Sequence, residues 1–181
     1  MKTGFWAGLL LYFSISSALA AASFPSLTGR VVDLAGMISP QDEASITRIS
    51  SQLEGATGNQ FIVVTLPDLG GDTIEEYGFQ LGRHWGIGQS EKNNGLLLII
   101  AKAERRIRIE VGYGLEGEMT DAIASQIIQG AMVPSFRAGT ISSGILLGAQ
   151  QVAQVVSGDY EPQALNQRGS GQGRGLPNAT F

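Results

Sequence analysis

One stretch constrains the fold more than any other: Asn94 to Asp121, NGLLLIIAKAERRIRIEVGYGLEGEMTD. Its apolar run, Leu96 to Ala101, has no polar alternation, which is the pattern of a strand covered on both faces. After a charged break at Lys102 to Arg105 the pattern alternates, with Ile107, Ile109 and Val111 on one side and Arg106, Arg108 and Glu110 on the other. That period of two predicts a half-covered strand, antiparallel to the first across a tight turn. The hairpin then runs through Val111-Gly-Tyr-Gly-Leu-Glu-Gly-Glu into a helix opening near Thr120 and Asp121. Glycines at 112, 114 and 117 permit either left-handed backbone or close approach to a neighbour, and a plain turn needs neither three times over. A functional site is first expected at this loop.

Upstream, Gln60 to Leu66 is a second buried strand, stopped by Pro67 and Asp68. Between the two strands Ile74, Tyr77, Leu81 and Trp85 form a helical stripe, with Asp72 and Glu75 as a capping pair. Strand, helix, strand in that order is a crossover unit, so 60–66 and 96–101 are expected to be parallel. A first helix begins at Ser39-Pro40 and carries Ile46, Ile49 and Leu53 inward. Two more follow, one from Asp121 to about Phe136 and one from Ile141 to Val156. Phe24 to Asp33 reads as an extended arm. The fold class is therefore α/β, a single small mixed sheet covered by helices on both faces.

The chain divides into a signal peptide over 1–20, a domain over 29–157 and a flexible, glycine-rich tail over 158–181. Lys2, the apolar segment Phe5 to Ile15 and the small residues Ala18 and Ala20 are the signature of a secretory leader. The apolar core falls short of the ~20 residues of a spanning helix, so a mature chain that does not span the membrane is expected, periplasmic or secreted. A formal charge of -4 gives no encouragement to nucleic acid binding, and the absence of cysteine excludes disulfides and thiolate chemistry. His84 is the only histidine, so a histidine zinc set is excluded, and its place near a helix end suits a surface role. Gly112-Tyr-Gly-Leu-Glu-Gly117 follows a hairpin strand instead of opening a crossover unit, which argues against a dinucleotide loop. The remaining chemistry is acidic: Asp33, Asp68, Asp72, Glu110, Glu116, Glu118 and Asp121 fall in loops or at element ends. Hard cations recruit such carboxylates together with loop carbonyls, whereas helix capping and loop solubility account for the same residues without metal.

Several spaced segments agree in order with one family. Val32-Asp-Leu-Ala-Gly-Met-Ile-Ser39, Gly58-Asn-Gln-Phe-Ile-Val-Val64, Trp85-Gly-Ile-Gly88, Asn93-Asn-Gly-Leu-Leu-Leu-Ile-Ile100 and Arg108-Ile-Glu-Val-Gly-Tyr-Gly-Leu-Glu-Gly117 with Asp121 resemble the TPM domain family. This family includes thylakoid-lumen proteins linked to photosystem II repair and bacterial exported proteins of the YgcG type. The resemblance covers about residues 29 to 157 and implies a mixed sheet sandwiched by helices. It also implies calcium as a cofactor, with Asp33, Asp68, Glu118 and Asp121 as the metal ligands. The function it favours is an exported, calcium-binding accessory module that assists an envelope or membrane protein complex. A metal-assisted acid phosphatase acting on phosphomonoesters and a metal-free structural or interaction domain are the alternatives, and catalytic residues are unassigned.

Overall fold

A computed structural model describes residues 24–89, 91–159 and 179–180. The expected leader over 1–20 and most of the expected flexible tail lie outside the described residues. The elements are β1 (Val31–Asp33), α1 (Pro40–Thr57), β2 (Gln60–Leu66), α2 (Ile74–Trp85), β3 (Gly95–Ala101) and β4 (Arg106–Val111). A 3₁₀ turn (Tyr113–Leu115) leads to α3 (Asp121–Ile127), a π turn (Ile128–Met132), α4 (Val133–Arg137), α5 (Ile141–Ser157) and β5 (Ala179–Thr180). The strands form one mixed sheet in the order β1-β2-β3-β4-β5. β2 and β3 are parallel in the register Phe61 to Leu96, and β3 and β4 are antiparallel in the register Leu96 to Val111. Both pairings are those that the hydrophobic period and the crossover helix predict.

Because β3 is sandwiched, its side chains divide strictly by parity. Leu96, Leu98 and Ile100 join one core with Phe61, Val63, Ile107 and Ile109, under α1 and the helices from α3 to α5. Leu97, Ile99 and Ala101 join a second with Ile62, Val64, Leu66, Leu69, Ile74 and Leu81, under α2. Every residue of β3 is buried, and each large aliphatic side chain so placed contributes roughly 1.5–3 kcal/mol relative to exposure. This explains the unbroken apolar run. On β4 the parity puts Arg106, Arg108 and Glu110 on the α2 side, opposite Ala101, Ile99 and Leu97. Gly78 lets α2 descend onto that side, since a Cβ there would stand 2.6 Å from Ile99 Cδ1 and 3.6 Å from Glu110 Oε2.

Three expectations are corrected. The arm ends in a strand, because Val31 to Asp33 pairs in parallel with Val63 to Thr65. The cap of α2 is Thr73, not Asp72: its hydroxyl accepts the Glu76 amide at 3.2 Å, one residue later than the Asp72-Glu75 reading. The helix expected from Asp121 to Phe136 is interrupted by the π turn. Pro134 has no amide to give the Gly130 carbonyl and its ring crowds that carbonyl, so a wider turn absorbs the misfit. Ala179 and Thr180, the last described residues, lie antiparallel to Ile107 and Arg106. Ser39 caps α1 through the Asp42 amide, with Pro40 in the first turn, as its sequence indicates. Among the described residues no helix is long and apolar enough to cross a membrane.

Candidate binding cleft

The two ends of the sheet carry different parts of the acidic set. Asp33 and Asp68 leave from the carboxyl ends of β1 and β2, whereas the Gly112–Asp121 loop leaves β4 beside Leu96, at the amino end of β3. Asp33 is committed to its own chain. Its Oδ1 accepts the Met37 amide and its Oδ2 the Ile38 amide, each at 3.0 Å, and Oδ1 also accepts the hydroxyl of the fully buried Thr65. Thr65 in turn accepts the Ala35 amide at 3.1 Å, and the Lys102 ammonium donates to the Ala35 carbonyl at 3.1 Å. Asp33 thus ties the β1–α1 loop to β2. Asp68 is exposed and accepts the Gly70 amide at 2.9 Å, a local turn. Glu118 is exposed before α3, and Asp121 is an exposed first-turn residue behind the capping Thr120. Among the described residues no three histidine or acidic side chains are grouped to hold a metal ion. The four carboxylates that the family resemblance nominates for calcium therefore do not fit a single ready-made site.

Asp68 and Asp72 act instead on Tyr77. Burial raises the pKa of its phenol above the ordinary value near 10, and the two carboxylates raise it further. In the unfolded chain the phenol ionises at that ordinary value, so its contribution is complete below pH of about 10 and is lost as the pH rises through the folded pKa. Urea midpoints measured from pH 9 upward should fall more steeply for the wild type than for Tyr77→Phe. Parallel alkaline limbs would remove Tyr77 from the account.

The glycine motifs, by contrast, converge. Gly112 and Gly114 have no need of left-handed backbone; they are pressed against the β3 entry loop. A Cβ on Gly112 would stand 2.1 Å from the Asn93 carbonyl oxygen, and one on Gly114 would stand 2.0 Å from that of Lys92. The Gly112 amide donates to Gly95 at 2.8 Å, and the Gly114 amide to Asn93 at 3.1 Å. Gly95 meets Ile87 in the same manner, its absent Cβ lying 2.6 Å from the Ile87 carbonyl oxygen. Gly88 donates to Gln60 Oε1 at 2.7 Å, while the buried Asn94 accepts from Gln89 at 2.9 Å and donates to Gly58 at 2.8 Å. Three segments distant in sequence are therefore locked backbone to backbone. Gly117 has open space around it and shares none of this role.

Beside this lock lies a cleft of about 700 Å³ between α2 and the end of β4. Leu97 forms its apolar floor and the strand backbone at Leu96 and Val111 its edge, with Phe79 and Arg83 on the helix side and Tyr113 with Glu116 on the loop side. Its volume is within the range of ordinary ligand sites. Phe79 is 50% exposed and Tyr113 79% exposed, high values for large aromatic side chains. Arg83 lies 5.4 Å above the Phe79 ring, and Glu110 is paired with Arg108 at 2.6 Å. The rim therefore carries both signs of charge around an apolar floor.

Comparisons with known proteins speak to the family and the fold. The TPM domain model matches residues 31–155. The chain belongs to the TPM domain family. The segments that lock together, 85–88, 93–100 and 108–117, are among those that carry the resemblance. Among solved structures, the solution NMR structure of the N-terminal domain of a P. gingivalis protein is 39% identical with a TM-score of 0.67, over 72% of this chain and 83% of that one. The N-terminal domain of the cg2496 protein of Corynebacterium glutamicum is 21% identical with a TM-score of 0.56, over 84% and 96% of the two chains. The BA42 protein of Bizionia argentinensis is 14% identical with a TM-score of 0.59, over 72% and 89%. The latter two share the fold. No curated protein matches this TPM chain.

Sequence reasoning singled out the glycine loop and missed the side chains that give the cleft its character. Phe79 and Arg83 lie on the polar side of the α2 stripe, where nothing in the period marks them. Tyr113 was more accessible to inference: a large aromatic between two close-approach glycines has no room to fold back into a core.

Proposed function

We propose that this TPM domain is an exported accessory module that recognises a protein partner in an envelope or membrane complex through the α2–Tyr113 cleft. The observation that carries this reading is the exposure of Tyr113 on a backbone that cannot yield. An aromatic ring presented without loss of loop entropy is the usual anchor of a recognition surface. Phe79 across the apolar floor supplies a second anchor, and the mixed charges of Arg83 and Glu116 supply orientation. Of the three functions that the sequence leaves open, the interaction domain draws on a formed surface, whereas among the described residues no carboxylate set is assembled for calcium binding or phosphoryl transfer.

The test uses a photo-crosslinking amino acid in place of Tyr113 in the host envelope, with the same group in place of Leu147 on α5 as the control. One discrete adduct is expected from position 113 alone. Tyr113→Ala should then weaken binding of the purified adduct partner by at least ten-fold while leaving stability within about 0.5 kcal/mol, because the ring touches little of its own chain. Equal labelling from both positions would sink the cleft reading.

A further inference from the structure

Two charged side chains on the rim of the cleft have no counterpart among the described residues. Glu110, the third charge along its lining, is compensated by Arg108 at 2.6 Å. Arg83 and Glu116 are exposed, and among the described residues neither side chain is hydrogen-bonded or ion-paired. Each stands beside an exposed aromatic ring, and the local backbone fixes the pairing. On α2, Phe79 and Arg83 are one helical turn apart and share a face, which puts the guanidinium 5.4 Å above the ring. A guanidinium held on a ring keeps the N–H donors of its own plane for a carboxylate. On the loop, Tyr113 and Glu116 are joined by a 3₁₀ turn in which the Glu116 amide donates to the Tyr113 carbonyl at 3.5 Å. Side chains at that spacing eclipse, so the carboxylate stands on the side of the phenol. A ring face next to a carboxylate is a receptor for a cation.

The two walls are therefore of one construction and opposite sign, with Leu97 between them. Both are held in place. Gly112 and Gly114 abut the backbone at Asn93 and Lys92, and Gly78 seats α2 on β3, where a Cβ would stand 2.6 Å from Ile99 Cδ1. Fixed charges across a fixed gap accept a guest of matching sign and oppose one of reversed sign.

We infer that the occupant of the cleft is a polypeptide segment with an acidic side chain for Arg83, a basic one for the Tyr113–Glu116 wall, and an apolar one between them over Leu97. This rests on the reading of the cleft as a protein-recognition site and names what that site selects. The apolar residue and the rings supply the contact area, and the two charges decide which segments are accepted.

The probe is a library of random peptides displayed on phage, selected in parallel on the full chain and on the full chain with Arg83→Glu, Glu116→Arg or Arg48→Glu. Arg48 is exposed on α1, across the sheet from α2, so its reversal changes the net charge as Arg83→Glu does without touching the cleft. Sequences enriched on the wild type should carry Asp or Glu and Lys or Arg on either side of an apolar residue. Arg83→Glu should turn the acidic position basic, Glu116→Arg should turn the basic position acidic, and Arg48→Glu should leave the pattern as it is. The best wild-type peptide, synthesised, should bind the Arg83→Glu chain at least ten-fold more weakly, and its acid-to-lysine version should recover that loss on this variant alone. The three substituted residues are exposed, and an unchanged melting curve checks that each variant is folded. No enrichment, a pattern without both charges, or one that shifts equally with Arg48→Glu would overturn the inference. Peptides lost on Tyr113→Ala yet unmoved by either cleft reversal would overturn it and leave the cleft reading in place, whereas peptides indifferent to Tyr113→Ala would overturn both.

Discussion

Gly112→Ala and Gly114→Ala should each destabilise the domain by about 3 kcal/mol, at the upper end of overpacking effects. The atoms that an added methyl would meet are backbone carbonyl oxygens, 2.1 Å away at Asn93 and 2.0 Å away at Lys92, so no side chain can rotate to relieve the contact. The loop has to lift from the β3 entry, and the bonds from Gly112 to Gly95 and from Gly114 to Asn93 go with it. Gly117→Ala is the internal control, since nothing lies within 4 Å of its methyl position, and it should stay within about 0.5 kcal/mol. Denaturant midpoints of the three variants decide the matter. A Gly112→Ala protein as stable as Gly117→Ala would mean that the lock is looser than its geometry.

Asp33→Ala should cost about 3 kcal/mol in chelator-treated buffer, because it strands two loop amides and the hydroxyl of the fully buried Thr65. Asp33→Asn keeps one acceptor oxygen and should lose less, about 1 kcal/mol. The comparison separates two roles for the same residue. A cap destabilises on removal whether or not calcium is added; a ligand matters only when the metal is there, since binding to the folded state stabilises by mass action. Thermal melts of wild type and both variants with and without millimolar calcium are therefore expected to show the same differences in both buffers. A loss seen only with calcium would restore Asp33 to a metal site.

Much of this architecture was legible because burial leaves a local mark. The unbroken run at Leu96 to Ala101 and the alternation at Ile107 to Val111 announce a two-sided and a one-sided strand, and Ser39-Pro40 announces its helix. What escaped was short or long-range. Val31 to Asp33 is too brief to show a period, and two residues at 179–180 show none at all. The shift of the α2 cap from Asp72 to Thr73 turns on one backbone angle between two acceptable capping residues. The π turn arises from a proline placed where either a kink or a new helix would serve.

The separation of the carboxylates was within reach of the sequence. An antiparallel hairpin after a parallel pair returns the chain to the starting end of the sheet, so the loop after Val111 departs from the opposite end to Asp33 and Asp68. In this chain the motifs carrying the family resemblance coincide with a backbone requirement, close approach at Gly95, Gly112 and Gly114.

The first described residues lie along α2. The Trp85 indole N–H donates to the Pro25 carbonyl at 2.7 Å, and the Phe24 ring stands 5.2 Å from Tyr77 and 5.4 Å from His84. Trp85 is the single tryptophan among the described residues, and Trp6 lies within the expected leader. A chain shortened to its mature length would carry one tryptophan, selectively excited at the red edge of the absorption, with its only polar side-chain atom held by the arm. Release of the arm would wet that indole and move its emission to longer wavelength, so the domain is wired as its own optical gauge of whether its leading segment is seated.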